Sequence, residues 1–187
     1  NLRQIACHAA QLKEDDALGI MSGIKVGVVP ISWGQGVIEG FCQATAAILK
    51  HLGFSAFVSG PSDIAGLAEA YEAKADVVFL SDDNDFVALN AATRQSVHNS
   101  HATGQGFAAG LDLMANGLVD RKVLVLGCGA VGRSAISAAL KLGARVSVYD
   151  INPANCTEFK SSPAGPGSAR IAVETDFQHA LAGHSLI

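Results

Sequence analysis

Short unbroken apolar runs recur along the chain, each bounded by turn-forming or polar residues, a pattern that fits strands buried on both faces. KVGVVP at 25–30, FSAFVS at 54–59 and ADVVFLS at 75–81 are the first three. Between the first two, Val37, Phe41, Ala44, Ile48 and Leu52 fall on one face of a helical pattern that Gly53 would end as a C-cap. Ser62 or Asp63 can cap the next helix, whose apolar face would be Ile64, Leu67 and Tyr71. The result is β-α-β-α-β in about 55 residues, the alternation of a parallel sheet.

Downstream, a weaker helix is expected from Asn84 to about Gln95. A longer one follows, capped by Thr103, carrying Phe107, Leu111, Met114 and Leu118 and broken by residues 117–120. A strand then starts at Lys122 (KVLVLG), followed by a glycine turn, a helix to about Leu142 and the strand RVSVYD ending at Asp150. RIAVE at 170–174 and the terminal SLI suggest two more strands, and SSPAGPGSA at 161–169 reads as a loop.

Gly127, Gly129 and Gly132 in VLVLGCGAVG form G-x-G-x-x-G directly after a strand and at the start of a helix, the context that gives this motif its meaning. The first glycine makes the tight turn, the second lets backbone approach a pyrophosphate, and the third brings helix against strand. The first helical residues, Ala130 and Val131, offer free N–H groups to the anion. Asp150 ends the next strand 18 residues beyond Gly132, where a carboxylate can accept from both adenosine ribose hydroxyls. It would repel a 2′-phosphate, and Ile151 and Asn152 bring no arginine to compensate, so NAD is the expected cofactor. Arg133, on the first turn, is within reach of the pyrophosphate.

These elements describe an α/β protein: a small N-terminal parallel β-α-β domain followed by a Rossmann dinucleotide-binding domain. The expected divisions are a substrate domain with an N-terminal helical segment at 1–103, a connecting helix at 104–119 and the nucleotide domain at 120–187. A full doubly wound domain has about six strands. Only four are read after residue 120, so the nucleotide domain is expected to be incomplete at its C-terminus and the chain to be part of a longer protein.

The earlier loop, PISWGQG, has Gly34 and Gly36 but no third glycine at the needed spacing, so it is no second nucleotide fingerprint. At the carboxyl end of a parallel strand, Ser32 and a helix N-terminus near Gly36 could receive an anionic group such as a carboxylate. The competing reading is a tight turn with Trp33, the one tryptophan of the chain, as a packing residue. After the third strand, SDDND places carboxylates at 82, 83 and 85. Such residues often cap helices, yet Asp82 at a strand's carboxyl end would face the same crevice as Ser32 and suits a cationic amine or a proton transfer.

Charge narrows the partners. Lys and Arg total 13 against 17 Asp and Glu, for a formal net charge of −4 without a block of either sign, which disfavours nucleic acid and anionic membrane surfaces. No apolar run reaches the roughly 18 residues of a membrane span, and the N-terminus lacks the order of a secretory signal, so a cytoplasmic location is expected. Cysteines at 7, 42, 128 and 156 and six histidines show no metal-ligand spacing, and no metal is expected. The cysteines are expected as reduced, buried thiols.

Taken in order, KVGVVPISWGQGVIEGF, FVSGPSDIAGLAEA, ADVVFLSDDNDFVALN, ATGQGFAAGLDLMANG and VLVLGCGAVGRSA resemble the PylD family of pyrrolysine biosynthesis over about residues 20–155. The resemblance implies an NAD-dependent dehydrogenase acting on 3-methyl-D-ornithyl-Nε-L-lysine, oxidising the terminal primary amine so that the product cyclises to a pyrroline ring. Asp82 matches the first aspartate of the family's acidic pair and would orient or deprotonate the amine. Ser32, Trp33 and Gly34 fall in the family's substrate loop, where a Thr-Ser pair is common and Trp33 here replaces the second hydroxyl. Asn99, Thr103 and Gly104 match a segment implied to contact the nicotinamide side of the cofactor. Gly127, Gly129, Gly132 and Asp150 match the cofactor motif. The family continues into a C-terminal segment whose glutamate closes over the substrate, beyond the residues in hand. A homodimer is a candidate assembly. The alternatives are another NAD-dependent amino-acid or imino-acid dehydrogenase, which simple amino-acid substrates would reveal, and a non-catalytic NAD-sensing module, against which the separate β-α-β-α-β unit counts.

Overall fold

The computed structural model describes residues 1–34, 36, 38–161 and 170–187. The chain divides into two compact units, Asn1–Asn99 and Ser100–Ile187. In the first, helices α1 (Leu2–Ala9) and α2 (Glu14–Ser22) precede β1 (Lys25–Pro30), α3 (Phe41–Leu52), β2 (Ser55–Val58), α4 (Asp63–Glu72) and β3 (Val77–Ser81). Two further strands, β4 (Phe86–Asn90) and β5 (Gln95–His98), complete a sheet of order β2-β1-β3-β4-β5. β1 pairs parallel with both β2 and β3, which is the expected β-α-β-α-β unit, and β4 and β5 are antiparallel.

Alternation along β1 sends Val26 and Val28 to one face and Gly27 and Val29 to the other. Cys42, Ala46 and Leu49 of α3 cover the first face, together with Ala56 and Phe79. Ala70 of α4 covers the second, against Val29 and Val78. At the unit's start, Asn1 and Gln4 form a reciprocal capping box on α1. Arg3 donates to the last carbonyls of α3, His51 O at 2.7 Å and Leu52 O at 3.2 Å.

The expected face of α4 is wrong, and that of α3 is right only in part. In α3, Phe41 packs against the core but Ile48 is 49% exposed, and Cys42, Ala46 and Leu49 are the buried residues; in α4, Ile64 and Tyr71 are 85% and 83% exposed, and the buried residues are the small Gly66 and Ala70. The reason is close approach: a side chain at Gly66 would collide with Pro61 O, Ser59 Oγ and Val29 Cγ1. α4 therefore lies against the sheet through Gly66 and Ala70, and its large side chains point away. Val37, assigned to the α3 face, is outside the described residues.

The helix expected over 84–95 is instead the hairpin β4–β5. Phe86, Val87 and Leu89 favour a strand, and pairing them satisfies the open edge of β3. Asn90 Oδ1 accepts from Ala92 N and Thr93 N, closing the turn, and Arg94 takes a left-handed φ of 56°.

The second unit holds α5 (which begins at Asn99 and runs to Ala115), β6 (Lys122–Leu126), α6 (Ala130–Lys141), β7 (Arg145–Tyr149), α7 (Pro153–Ser161), β8 (Ile171–Val173) and α8 (Phe177–Gly183). Its parallel sheet has the order β6-β7-β8. Ile136 and Ala139 of α6 and Cys156 and Phe159 of α7 pack with Val123, Val146 and Val148 on one face. Among the described residues this sheet has three strands. The terminal SLI is not a strand, although Leu186 O accepts from Leu124 N at 2.9 Å. The 161–169 loop, apart from Ser161 at the end of α7, lies outside the described residues. No helix among the described residues is long and apolar enough to cross a membrane.

Thr103 does not cap α5, which starts four residues earlier directly after β5. Asn116 and Gly117, with φ of 61° and 107°, end the helix where a break was expected. Gly104, Ala108 and Ala109 are its buried residues, whereas Phe107 and Met114 are 69% and 86% exposed.

A side chain at Gly104 would meet Ala135 N and Ser134 Cβ, both at 2.6 Å, so α5 and α6 touch backbone to backbone there. At Gly106 nothing lies within 4 Å. Gly106→Ala is therefore expected to stabilise the protein by up to about 1 kcal/mol through helix propensity. Gly104→Ala is expected to lose about 1–3 kcal/mol by overpacking. Urea unfolding of both variants would check the pair, and equal shifts would contradict the close contact.

Candidate functional site

In the first unit the order β2-β1-β3 sets the loops after these three parallel strands side by side at their carboxyl ends, where open α/β sheets take ligands. The loop after β1 is fastened from its neighbour. Ser32 N donates to Asp63 Oδ1 at 2.8 Å, and Ser32 Oγ donates to Asp63 Oδ2 at 2.6 Å. Ser62 Oγ adds a bond to the same Oδ2 at 2.9 Å. Asp63, the first residue of α4, has a left-handed φ of 57°. The Ser32 hydroxyl, then the Ser32 amide and the Ser62 hydroxyl hold its carboxyl below the ordinary value of 3.8.

This corrects the expectation of an anion at Ser32, since both of its hydrogens go to Asp63. α3 also begins at Phe41 after a left-handed Gly40, not beside Gly36. Gly34 has φ 79°, and a side chain there would run into the Asp83 carboxylate, so the third loop packs over the first. Trp33 is 68% exposed.

Asp82 follows β3 directly. Its Oδ1 accepts from Asn84 N and Asp85 N, each at 2.8 Å, and its own amide donates to Asp85 O at 2.9 Å. The amides of Asp85 and then Asn84 keep its carboxyl below the ordinary range. It stands fully exposed as a carboxylate, with both side-chain bonds on one oxygen. Ser32, Gly34 and the Asp82–Asp83 pair are thus gathered at one end of one sheet.

In the second unit, Gly127 turns the chain with φ 95° and donates its amide to Tyr149 O at 2.7 Å. A side chain at Gly132 would collide with Gly127 O, so the third glycine allows α6 to begin directly beneath the turn. At Gly127 and Gly129 an added Cβ would meet nothing within 4 Å, leaving the space over the loop open. Gly129 is the N-cap residue of α6 and provides no side chain to its first amides, those of Ala130 and Val131.

Asp150 closes the loop from the adjacent strand. Cys128 N donates to its Oδ2 at 2.6 Å, and Asn152 N and Asn155 Nδ2 donate to Oδ1 at 2.8 and 3.1 Å. The Cys128 amide, followed by the Asn152 amide, lowers its pKa. A carboxylate has about four acceptor positions. Three are used, so one remains, on Oδ2, where two hydroxyls were expected. Arg133 does not reach over the loop: its Nε donates to Cys128 O at 2.8 Å, and its guanidinium lies 5.6 Å from the Phe159 ring centre.

All four cysteines are free and buried. The Cys128 and Cys156 sulfurs touch at 2.9 Å, and burial, reinforced by Cys156, pushes the Cys128 thiol up to about 12. Cys128 therefore remains a protonated packing group at neutral pH. Asn99 and Thr103 lie on the first turns of α5, and Thr103 is adjacent to the Gly104 contact with α6. Asp63 was missed as a site residue. It reads locally as a helix cap, and its partner Ser32 is 31 residues away, so nothing in the sequence signals the pairing.

The pyrrolysine biosynthesis protein PylD, N-terminal domain, model matches residues 1–97, and the alanine dehydrogenase/PNT, C-terminal domain, model matches residues 90–184. The pyrrolysine synthases of Methanosarcina acetivorans and Methanosarcina barkeri are 33% and 34% identical over 132 and 131 residues, 70% and 69% of this chain. The chain spans about half the length of these curated relatives, 50% and 49%. In fold it is similar to shikimate dehydrogenase from Aquifex aeolicus, with a TM-score of 0.52 at 15% identity, covering 86% of this chain and 66% of that one. The first of these family matches covers just over half of the chain and falls within its first unit: the chain belongs to the pyrrolysine biosynthesis protein PylD family.

Proposed function

We propose that the protein acts in pyrrolysine biosynthesis as an NAD-dependent dehydrogenase on 3-methyl-D-ornithyl-Nε-L-lysine, oxidising its terminal primary amine before closure to the pyrroline ring. The observation that carries the dehydrogenase reading is the glycine loop of the second unit. Its turn glycine, its open upper surface and the helix start at Ala130, which Gly132 allows, suit a dinucleotide pyrophosphate, received by the Gly129, Ala130 and Val131 amides. A nicotinamide bound with that pyrophosphate would accept the hydride.

Asp150, ionised by its backbone donors, has one acceptor position left for a ribose hydroxyl and a charge that disfavours a 2′-phosphate, supporting NAD over NADP. Asn99 and Thr103 are assigned to the nicotinamide side. In the first unit, Ser32, Trp33 and Gly34 are assigned to the substrate and Asp82 to its amine. Because Asp82 has a lowered pKa, it is a weak base and a good counter-ion. Its part is to orient the ammonium group that must lose a proton before a hydride leaves its carbon.

The direct test supplies the full-length protein with NAD and the lysine–ornithine isopeptide. NADH together with a pyrroline product is the expected result. NADH from simple amino acids instead would move the protein to another amine dehydrogenase, and NAD binding without turnover on either would favour a nucleotide sensor.

Two variants test the residues. Asp82→Asn keeps an Oδ1 for the Asn84 and Asp85 amides, so the turn survives while the charge is lost. Turnover is expected to fall at least about 100-fold with NAD affinity unchanged. Unchanged turnover would leave Asp82 a turn residue only. Asp150→Ala is expected to weaken NAD binding about tenfold or more, and NADP binding less, in a fluorescence titration. Equal weakening would remove the ribose contact.

A further inference from the structure

The two units pin their first loops by the same construction. In the second, a carboxylate placed after β7 accepts the amide of Cys128 in the loop after neighbouring β6. In the first, a carboxylate placed after β2 accepts the amide of Ser32 in the loop after neighbouring β1. Asp63 stands to the substrate loop as Asp150 stands to the nucleotide loop.

One difference has chemical consequences. Asp63 takes the Ser32 hydroxyl hydrogen as well, in a short bond of 2.6 Å to an ionised oxygen. A serine side chain has one hydrogen to donate and two lone pairs to offer. With the hydrogen committed, Ser32 Oγ can only accept. Asp63 has a left-handed φ of 57°, unusual for a non-glycine residue, and its carboxylate is bonded to the β1 loop and to Ser62.

We infer that Asp63 is a positioning residue that fixes the polarity of Ser32: by accepting both of its hydrogens it makes Ser32 Oγ an acceptor only, so that the substrate loop takes a hydrogen-bond donor, an amine or amide N–H, rather than a carboxylate. This rests on the proposed assignment of Ser32 to the substrate. The carboxylate end of an amino-acid substrate must then be held elsewhere.

Asp63→Asn is the informative change. An amide accepts from the Ser32 backbone as before, but its Nδ2 donates to Ser32 Oγ, releasing the hydroxyl hydrogen and reversing the polarity. With the full-length protein and the isopeptide, KM is expected to rise about tenfold with kcat within about twofold and NAD affinity unchanged. In a Ser32→Ala background the same change should add less than about twofold to KM, because there is no Oγ left to reverse. Independent, multiplying effects of the two substitutions, or a fall in kcat at constant KM, would overturn the inference.

A second measurement does not depend on any substrate. The Ser32 amide resonance is expected to follow a titration with a midpoint below 3.8, lost in Asp63→Asn. An amide that is silent in acid, or that titrates equally in both proteins, overturns the inference whatever the enzyme acts on. Inactivity of the unaltered protein on the isopeptide, with the amide titration present and KM effects absent on the amine substrate it does use, would overturn the Ser32 role. Inactivity on the isopeptide with those effects present on another amine would sink the proposed reaction and leave Asp63 in place.

Discussion

Helix α6 can begin beneath the end of β6 only because residue 132 has no side chain, and the nucleotide loop depends on that contact. With the helix so close, the turn at Gly127 stays tight, the Cys128 amide points across to β7, and Asp150 meets it at 2.6 Å. The hydrogen bonds orient this arrangement more than they hold it together. Each contributes about 0.5–1.5 kcal/mol net. Burying a large apolar side chain such as Ile136, Val146 or Val148 contributes about 1.5–3 kcal/mol, and all three are fully buried beneath the loop's helix. The apolar layer presses α6 onto the sheet, and the glycine decides how near it can come.

Small residues play the same part at Gly66 in α4 and Gly104 in α5. This explains which features of the fold could be read from the sequence. The parallel strands were legible because a fully buried strand has to be apolar at nearly every position, and KVGVVP, VVFLS and KVLVL are. The face of α4 was not, because a hydrophobic stripe such as Ile64, Leu67 and Tyr71 outweighs a glycine and an alanine on any apolar scale, although only the latter fit against the sheet. The hairpin β4–β5 was read as a helix for a related reason. Its residues are ambiguous by themselves, and the unpaired edge of β3 that favours a strand is a tertiary fact.

At the site, legibility followed sequence distance. Gly127, Gly129 and Gly132 have a spacing that encodes their roles in one local stretch, and Asp150 follows at the separation that one α-helix imposes between adjacent parallel strands. Ser32 and Asp63 have an equivalent relation, with a helix between β1 and β2, but no glycine signature announces it. Asp82 shows the converse. Its position at a strand end suggested chemistry, and the structure adds a turn-closing duty through Oδ1 that any aspartate or asparagine could perform, so charge is what separates the two roles.

The two glycine loops, which share no residue pattern, are thus variations on one piece of engineering. In a parallel β-α-β unit, the loop after the first strand leaves its early amides without sheet partners, and the nearest chain able to satisfy them is the one leaving the second strand. A carboxylate there is well matched: it accepts several donors at once, and those donors keep it ionised. The donors then differ between the two units. Asp150 takes two backbone amides and one side-chain amide, which leaves one position on Oδ2. Asp63 takes two serine hydroxyls and one amide, which leaves one position on Oδ1, and under the inference above it reaches a ligand through Ser32. Under the inference above, the polarity of the β1 loop toward its ligand is set outside the loop, in the carboxylate that follows the neighbouring strand.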